Sequence, residues 1–112
     1  MRYNNNIRKS EANIQAEIYH RLKLLNIESC LEYQFKLVYN NKEISVYADI
    51  VVIKNNNIIC ICEVKNYNKD IPNTNGRQYK KYEMLNIPFV YCMNETHIDN
   101  VISIISKIHT FS

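Results

Sequence analysis

Three charged residues interrupt the most apolar stretches of the chain. Asp49 lies inside the run at residues 48–53, while Glu63 and Lys65 lie at the end of the run that begins at Ile58. Charged side chains are rarely buried in strands unless they are paired or bind an ion. Two carboxylates and a lysine suit phosphodiester hydrolysis, in which the carboxylates hold Mg²⁺ and the ammonium positions a water or stabilises negative charge on the phosphate. A structural ion pair of Lys65 with either acid is the alternative.

The register of a predicted β-hairpin decides whether the two acids meet. Residues two apart in a strand share a face, so Glu63 and Lys65 point the same way. If the three asparagines at residues 55–57 form the turn, Asp49 faces Glu63 across the hairpin. Facing side chains begin about 4.5–5.5 Å apart at Cβ, which allows two carboxylates to share one divalent ion. A two-residue turn would instead place Asp49 opposite Cys62 and on the other face from Glu63.

Hydrophobic periodicity predicts the elements that position these residues. Apolar residues recur at helical spacing from Ile14 to Leu25, after Ser10 as a candidate N-cap, which predicts a helix over residues 10–26. Asparagine clusters mark the turns, because the chain has a single glycine. The remaining predicted elements are strands at 31–39, 44–53 and 58–65, a short helix at 77–85, a strand at 89–93 and a helix at 98–108. The order αβββαβα predicts an α/β (α+β) fold with a mixed four-stranded sheet and helices on both sides.

Length and composition narrow the class of protein. With 112 residues, 46% hydrophobic and 22% charged, the chain is expected to form one domain over residues 10–112, preceded by a flexible tail at residues 1–9. No run is long enough to span a membrane and the N-terminus lacks the apolar core of a secretory signal, so we expect an intracellular protein. The four cysteines are expected to be free, buried thiols, since the sequence has no paired CxxC or HxxxH elements for zinc.

These features resemble the PD-(D/E)XK nuclease superfamily, which has a restriction-endonuclease-like fold. The likeness rests on Tyr-Ala-Asp-Ile-Val-Val at residues 47–52 and Cys-Glu-Val-Lys at residues 62–65. The segment at residues 10–18 is similar to the first helix of the VRR-NUC branch of phage and repair nucleases, and residues 77–82 are similar to the Gln-x-x-x-Tyr element of recombination and restriction nucleases. The resemblance implies a Mg²⁺-dependent DNA endonuclease, with Mn²⁺ as a substitute, whose catalytic core is Asp49, Glu63 and Lys65.

The superfamily often adds an acidic residue from the first helix, and Glu11 and Glu17 compete for this role. On a helical wheel Glu11 lies about 20° from the centre of the apolar stripe, whereas Glu17 lies about 100° away. Glu11 is therefore predicted to face the sheet as a third metal ligand and catalytic residue, and Glu17 to be a solvated charge near Arg21. The alternative for Glu11 is a first-turn acid favoured by the helix dipole.

The second predicted helix and the loop before it carry residues suited to nucleic acid. Gln78 and Tyr82 lie four apart on one helix face, where either can orient a phosphate or a water. Gln78 is assigned to catalysis and Tyr82 to nucleic-acid binding. The alternative, which explains them nearly as well, is that the helix surface here is simply polar and that Tyr82 lies at the edge of the core. Four basic residues follow Lys65 where a phosphate backbone would pass, and a solvated surface is their alternative explanation: Lys69, Arg77, Lys80 and Lys81.

The modest net charge of +3 is too small to establish nucleic-acid binding by itself. We expect the chain alone to bind nucleic acid weakly, and to contact more of the nucleic acid as a homodimer or within a larger complex. Two alternatives stay open: a noncatalytic nucleic-acid-binding or assembly module that retains the fold, and a nuclease that acts on RNA with the same chemistry.

Overall fold

A computed structural model of the chain describes residues 10–65 and 83–112. The described strands form one sheet in the order β1-β2-β3-β4, in which β1–β2 and β2–β3 are antiparallel and β3–β4 is parallel. The described elements are α1 (Glu11–Leu24), β1 (Glu28–Tyr39), β2 (Lys42–Lys54), β3 (Asn57–Val64), β4 (Phe89–Cys92), a 3₁₀ turn (Glu95–His97) and α2 (Ile98–Thr110). The predicted α+β class with a mixed four-stranded sheet is confirmed.

Helices α1 and α2 cover the same face of the sheet. The hydroxyl of Ser10 accepts a hydrogen bond from the Asn13 N–H at 3.1 Å, which satisfies a donor in the first turn of α1. The fully buried Ile14 and Ile18 of α1 belong to one core cluster with Ile105 of α2 and with the strands beneath. Burying each such side chain contributes on the order of 1.5–3 kcal/mol. In the part of the chain that the structure describes, no helix has the length and apolar character needed to cross a membrane.

The opposite face of the sheet carries a second, smaller cluster. Val51 and Ile61 are fully buried there, and Leu85 and Phe89 pack against them. The sequence predicts helices on both sides of the sheet, one of them at residues 77–85. Apart from its last three residues this helix lies outside the described part of the chain, as does the predicted N-terminal tail.

Asparagine supplies the left-handed backbone that the turns require. Both hairpin turns consist of two successive asparagines with positive φ, as in a type I′ turn. Asparagine tolerates this conformation better than other residues with a Cβ. Among the described residues, those with positive φ are Asn26, Asn40, Asn41, Asn55, Asn56 and Asn86, together with Glu32.

The β2–β3 turn differs from the predicted one. Lys54 pairs with Asn57, so the turn contains only Asn55 and Asn56. The prediction of a three-residue asparagine turn is wrong, because two asparagines that both adopt positive φ are sufficient to reverse a twisted strand pair.

A register shift next to this turn compensates for its length. From the turn as far as Ile53, β2 pairs with β3 in the register that the two-residue turn sets. Immediately beyond Ile53 the pairing shifts by one residue. Beyond the shift Ile50 pairs with Cys62, which are the neighbours of Asp49 and Glu63. The predicted register at the two acids is therefore restored by a β-bulge, a local insertion that sequence periodicity does not reveal.

At Glu32 in β1 and Asp49 in β2, the strands rotate so that side chains which would face one side of the sheet face the other. The ladder of paired residues between β1 and β2 skips these two positions. Ile50 packs in the helix-covered cluster, whereas Ala48, two residues away, packs in the cluster on the opposite face. Residues two apart in a regular strand share a face, so the strand pair rotates between them. Glu32 has a φ of 54°, which is rare for a residue with a large side chain and accounts for the rotation.

Candidate functional site

Asp49 and Glu63 are joined by crossed hydrogen bonds where the β2–β3 ladder ends. The main-chain N–H of Asp49 donates to Oε1 of Glu63 at 3.1 Å. The main-chain N–H of Val64 donates to Oδ2 of Asp49 at 2.8 Å. Each carboxylate thus binds the main chain of the neighbouring strand, and hydrogen bonds to ionised acceptors are among the stronger ones in proteins. Both acids stand at this end of the hairpin, and the side chain of each reaches the main chain of the other strand.

The two carboxylates differ in burial. Glu63 is only 3% exposed and is the one charged residue among the buried ones that the structure describes. A buried carboxylate is strongly unfavourable unless donors or cations surround it, and the Asp49 N–H supplies one such donor. Asp49 is half-buried, and in the described chain its Oδ2 is the oxygen that accepts a hydrogen bond.

Lys65 directly follows β3 and is half-buried. Its main-chain N–H donates to the Cys92 carbonyl at 2.7 Å, immediately after the last parallel pair of β3 with β4. This bond fixes the main chain of Lys65 beside the two acids. Strand spacing predicts that the Lys65 side chain lies on the same side of the chain as that of Glu63, two residues before it.

Gln15 of α1 is a further residue of the site that the sequence analysis did not single out. Its amide nitrogen donates to the main-chain carbonyl of Asp49 at 3.0 Å and to Oε1 of Glu32 at 3.2 Å. Gln15 follows the buried Ile14, so its place at the edge of the apolar stripe was a usable signal. Its two acceptors lie 17 and 34 residues away in sequence, and no local pattern predicts them.

Glu11 differs from the helical-wheel prediction. Glu11 is exposed rather than packed against the sheet. As the first residue of α1 it projects past the packed turns, because helical side chains lean toward the N-terminus. Its role as a metal ligand therefore stays a prediction without packing to support it.

Glu17, predicted to be a solvated charge near Arg21, is partly exposed, with 3.9 Å between its Oε2 and Nη1 of Arg21. Burial raises the pKa of the Cys92 thiol to about 11, and the charge of Glu17 adds to this effect. Glu17 therefore lies close enough to Cys92, at the end of β4, for its charge to act on the thiol.

The predicted residues of the second helix and its loop lie outside the described residues. They are Lys69, Arg77, Gln78, Lys80, Lys81 and Tyr82. Their assignments to catalysis and nucleic-acid binding stay predictions.

The donor set at the strand end fits a hard divalent cation. Asp49 and Glu63 offer oxygen ligands, which Mg²⁺ prefers, and Mg²⁺ commonly uses one or two protein carboxylates and completes its shell with water and phosphate oxygens. No group of three or more His, Cys, Asp or Glu side chains suited to a metal occurs within residues 10–65 and 83–112. Asp49 and Glu63 are the described residues of this strand end that could hold such a cation.

Three of the four cysteines are free thiols in the core beneath the acids, while Cys30 is exposed, contrary to the prediction that all four are buried. Burial raises the pKa of Cys60 from 9.0 to about 12. Burial also raises the pKa of Cys62 well above its usual range, and the neighbouring thiols, Glu63 and Asp49 add to the effect. These thiols stay protonated at neutral pH and are poor nucleophiles and metal ligands.

Comparison of the chain with protein-family models, with curated proteins and with solved structures found no match. The function is therefore inferred from the residues of the site themselves.

Proposed function

We propose that the chain is a Mg²⁺-dependent nuclease of the PD-(D/E)XK type that hydrolyses phosphodiester bonds in DNA. The observation that carries the proposal is the crossed pairing of Asp49 and Glu63. Two carboxylates stand at the same end of a pair of buried strands, and each accepts a hydrogen bond from a main-chain N–H of the other strand. Two neighbouring carboxylates repel each other when no cation neutralises them. This arrangement would therefore contribute little to the stability of the fold by itself.

The described residues have distinct roles in this proposal. Asp49 and Glu63 hold the metal. The buried Glu63 is fixed by the hydrogen bond from the Asp49 main chain, and Asp49 is half-buried. When bound, Mg²⁺ supplies a Lewis acid for the phosphate and lowers the pKa of a coordinated water. Lys65 stabilises the negative charge that develops on the phosphate or positions the attacking water.

DNA is proposed as the substrate through the resemblance of the chain to DNA-cleaving nucleases. Contacts to the phosphate backbone are assigned to Lys69, Arg77, Lys80 and Lys81, and Gln78 and Tyr82 are assigned to phosphate or water orientation. With a net charge of +3, we expect weak binding that is strengthened in a homodimer or a larger complex.

The proposal is tested by incubating the purified chain with supercoiled, linear, single-stranded and branched DNA and with RNA. Each substrate is tested with Mg²⁺, with Mn²⁺ and with EDTA. We expect cleavage of at least one DNA substrate with either metal and none with EDTA. Cleavage of RNA alone would reassign the substrate, and binding without cleavage under every condition would favour the noncatalytic module.

A matched pair of variants separates the site from a contaminating nuclease. Asp49→Asn should abolish metal-dependent cleavage, because the amide removes the charge that holds the cation. Asp99→Asn is the control, since Asp99 is an exposed acid of α2 whose Oδ1 lies 2.6 Å from Nη1 of Arg21. Activity that survives equally in both variants would contradict the assignment of Asp49.

A further inference from the structure

The main chain of Asp49 is held by side chains on both sides of the residue. Its N–H donates to Glu63 Oε1 at 3.1 Å, and its carbonyl accepts from the Gln15 amide at 3.0 Å. The β1–β2 ladder skips Asp49 and its neighbour Glu32. The orientation of the Asp49 peptide therefore depends on these side-chain contacts more than that of a residue inside a regular ladder does.

The same Gln15 amide also binds the residue that bends the strand. Its nitrogen lies 3.2 Å from Oε1 of Glu32, and Glu32 is the only residue other than asparagine with positive φ in the described chain. Left-handed backbone at a glutamate is unfavourable and persists only where surrounding contacts enforce it. Here it turns β1 and β2 at the position where Asp49 leaves the ladder and reaches toward β3.

We infer that Gln15 is a positioning residue for Asp49, and that Glu32 is its anchor. The hydrogen bonds of the Gln15 amide connect α1 to the point at which β1 and β2 rotate. They thereby orient the Asp49 carboxylate toward the Val64 N–H. The inference deepens the proposed function, on which its metal-binding consequence rests. Gln15 itself touches neither metal nor substrate in this scheme. It acts through Asp49, as residues that orient metal ligands commonly do.

The first experiment compares Gln15→Met with Gln34→Met. Methionine is similar in length and keeps a helix former at residue 15. Gln34 is the matched control because its amide also bonds across to another side chain, Ser45 Oγ at 2.7 Å, on an exposed part of β1. Amide hydrogen exchange is measured by NMR on the metal-free protein, followed by Mn²⁺ titration.

In Gln15→Met we expect exchange at the Asp49 and Val64 amides to accelerate about tenfold or more, and Mn²⁺ affinity to fall about ten- to a hundredfold, which is typical for loss of a residue that orients a ligand. Gln34→Met should leave both quantities within about twofold of the parent. If Gln15→Met leaves exchange at both amides unchanged, the inference is overturned.

The second experiment separates positioning from a merely structural link between α1 and β1. In the double variant Gln15→Glu, Glu32→Gln the donor and the acceptor are exchanged, so the link between the two side chains is restored while the donor to the Asp49 carbonyl is lost. We expect the urea midpoint to recover toward the parent and the Asp49 and Val64 amides to stay fast in exchange. Recovery of amide protection together with stability would show that only the link matters and would overturn the inference.

The exchange measurement also keeps this inference distinct from the nuclease proposal. A chain that neither binds Mn²⁺ nor cleaves nucleic acid would contradict the proposed function. Amide exchange at Asp49 and Val64 would still decide whether Gln15 orients Asp49.

Discussion

The main-chain N–H of Asp49 donates a hydrogen bond to the carboxylate of Glu63, 14 residues further along the chain, at 3.1 Å. The donor belongs to a half-buried residue and the acceptor to a side chain that is 3% exposed. Glu63 thus fixes the main chain of the second acid as well as contributing its own charge. Structural and chemical contributions of Glu63 should consequently separate in a well-chosen set of variants.

Glu63→Gln and Glu63→Ala should differ in stability while both lose cleavage. Glutamine keeps an oxygen that accepts from Asp49, so its free energy of unfolding should stay within about 1 kcal/mol of the parent, aided by relief of charge repulsion. Alanine leaves the Asp49 N–H without this acceptor and opens a cavity, which should cost at least about 1–3 kcal/mol. Urea denaturation without metal and a cleavage assay with Mg²⁺ measure the two effects. Equal stability of the two variants would mean that the hydrogen bond contributes little.

Lys65→Ala should bind DNA nearly normally and cut it poorly. Removing one preorganised electrostatic donor typically lowers the rate about a hundred- to a thousandfold, whereas the loss of one phosphate contact weakens binding modestly. Single-turnover cleavage at saturating DNA isolates the rate from the affinity. A rate close to that of the parent would instead identify Lys65 as a structural ion-pair partner of the acids.

The control for Lys65 is the double variant Lys80→Ala, Lys81→Ala. It should lose affinity and lower the dependence of binding on salt by about two units of slope, at about one unit per phosphate contact, while the rate at saturation stays unchanged. A lost rate in this variant would move part of the catalytic role to the second predicted helix.

Glu32→Gly should be tolerated better than a glycine substitution elsewhere in β1. Glycine adopts positive φ without the penalty of about 1–2 kcal/mol that other residues incur. Lys36→Gly is the control, because Lys36 is an exposed residue of β1 that pairs with Ser45 in the regular ladder. We expect the Glu32 variant to be about 1–2 kcal/mol more stable than the control in urea denaturation, despite its lost bond to Gln15. An equal loss in both would show that Glu32 is not strained.

The buried thiols should make the fold sensitive to alkaline pH. Burial raises the pKa of Cys60 to about 12 and that of Cys92 to about 11, both from 9.0. Between pH 9 and those values the unfolded thiols release protons that the folded ones retain. The stabilisation is therefore complete below about pH 9 and is lost as the pH rises, by about 1.4 kcal/mol per pH unit for each thiol.

Urea denaturation at pH 8–11 checks this expectation. Cys92→Ala should reduce the slope of unfolding free energy against pH by about one proton. A Cys92→Ala slope identical to that of the parent would contradict the expected contribution of this thiol.

The predicted architecture follows from patterns that are local in the chain. The helical spacing of Ile14 and Ile18 and the apolar runs around Val51 and Ile61 correctly indicated the elements and their buried faces. Burial dominates folding free energy, so periodic apolar residues carry this information without knowledge of neighbours in space. Asparagine likewise indicated the turns through its tolerance of left-handed backbone.

The exposure of Glu11 shows where a local pattern fails. The helical wheel describes direction around the axis of α1 and contains no information on where the packed part of the helix begins. Glu11 lies at the first residue, beyond that part, whereas Glu17 lies at its edge and is half-buried. The point along the axis of α1 at which packing begins depends on the sheet beneath the helix, and the sequence of α1 contains no information about that sheet.

The sequence by itself determined that Asp49 and Glu63 stand in apolar strands, where ionised side chains need a partner. Only the tertiary structure decided how they are held, through a register shift beside Ile53, the rotated backbone of Glu32 and the amide of Gln15. Apolar periodicity is encoded residue by residue because each side chain meets water or the core independently. A hydrogen bond between groups 34 residues apart, such as that of Gln15 with Asp49, exists only after packing brings them together, so it leaves no periodic trace in the chain.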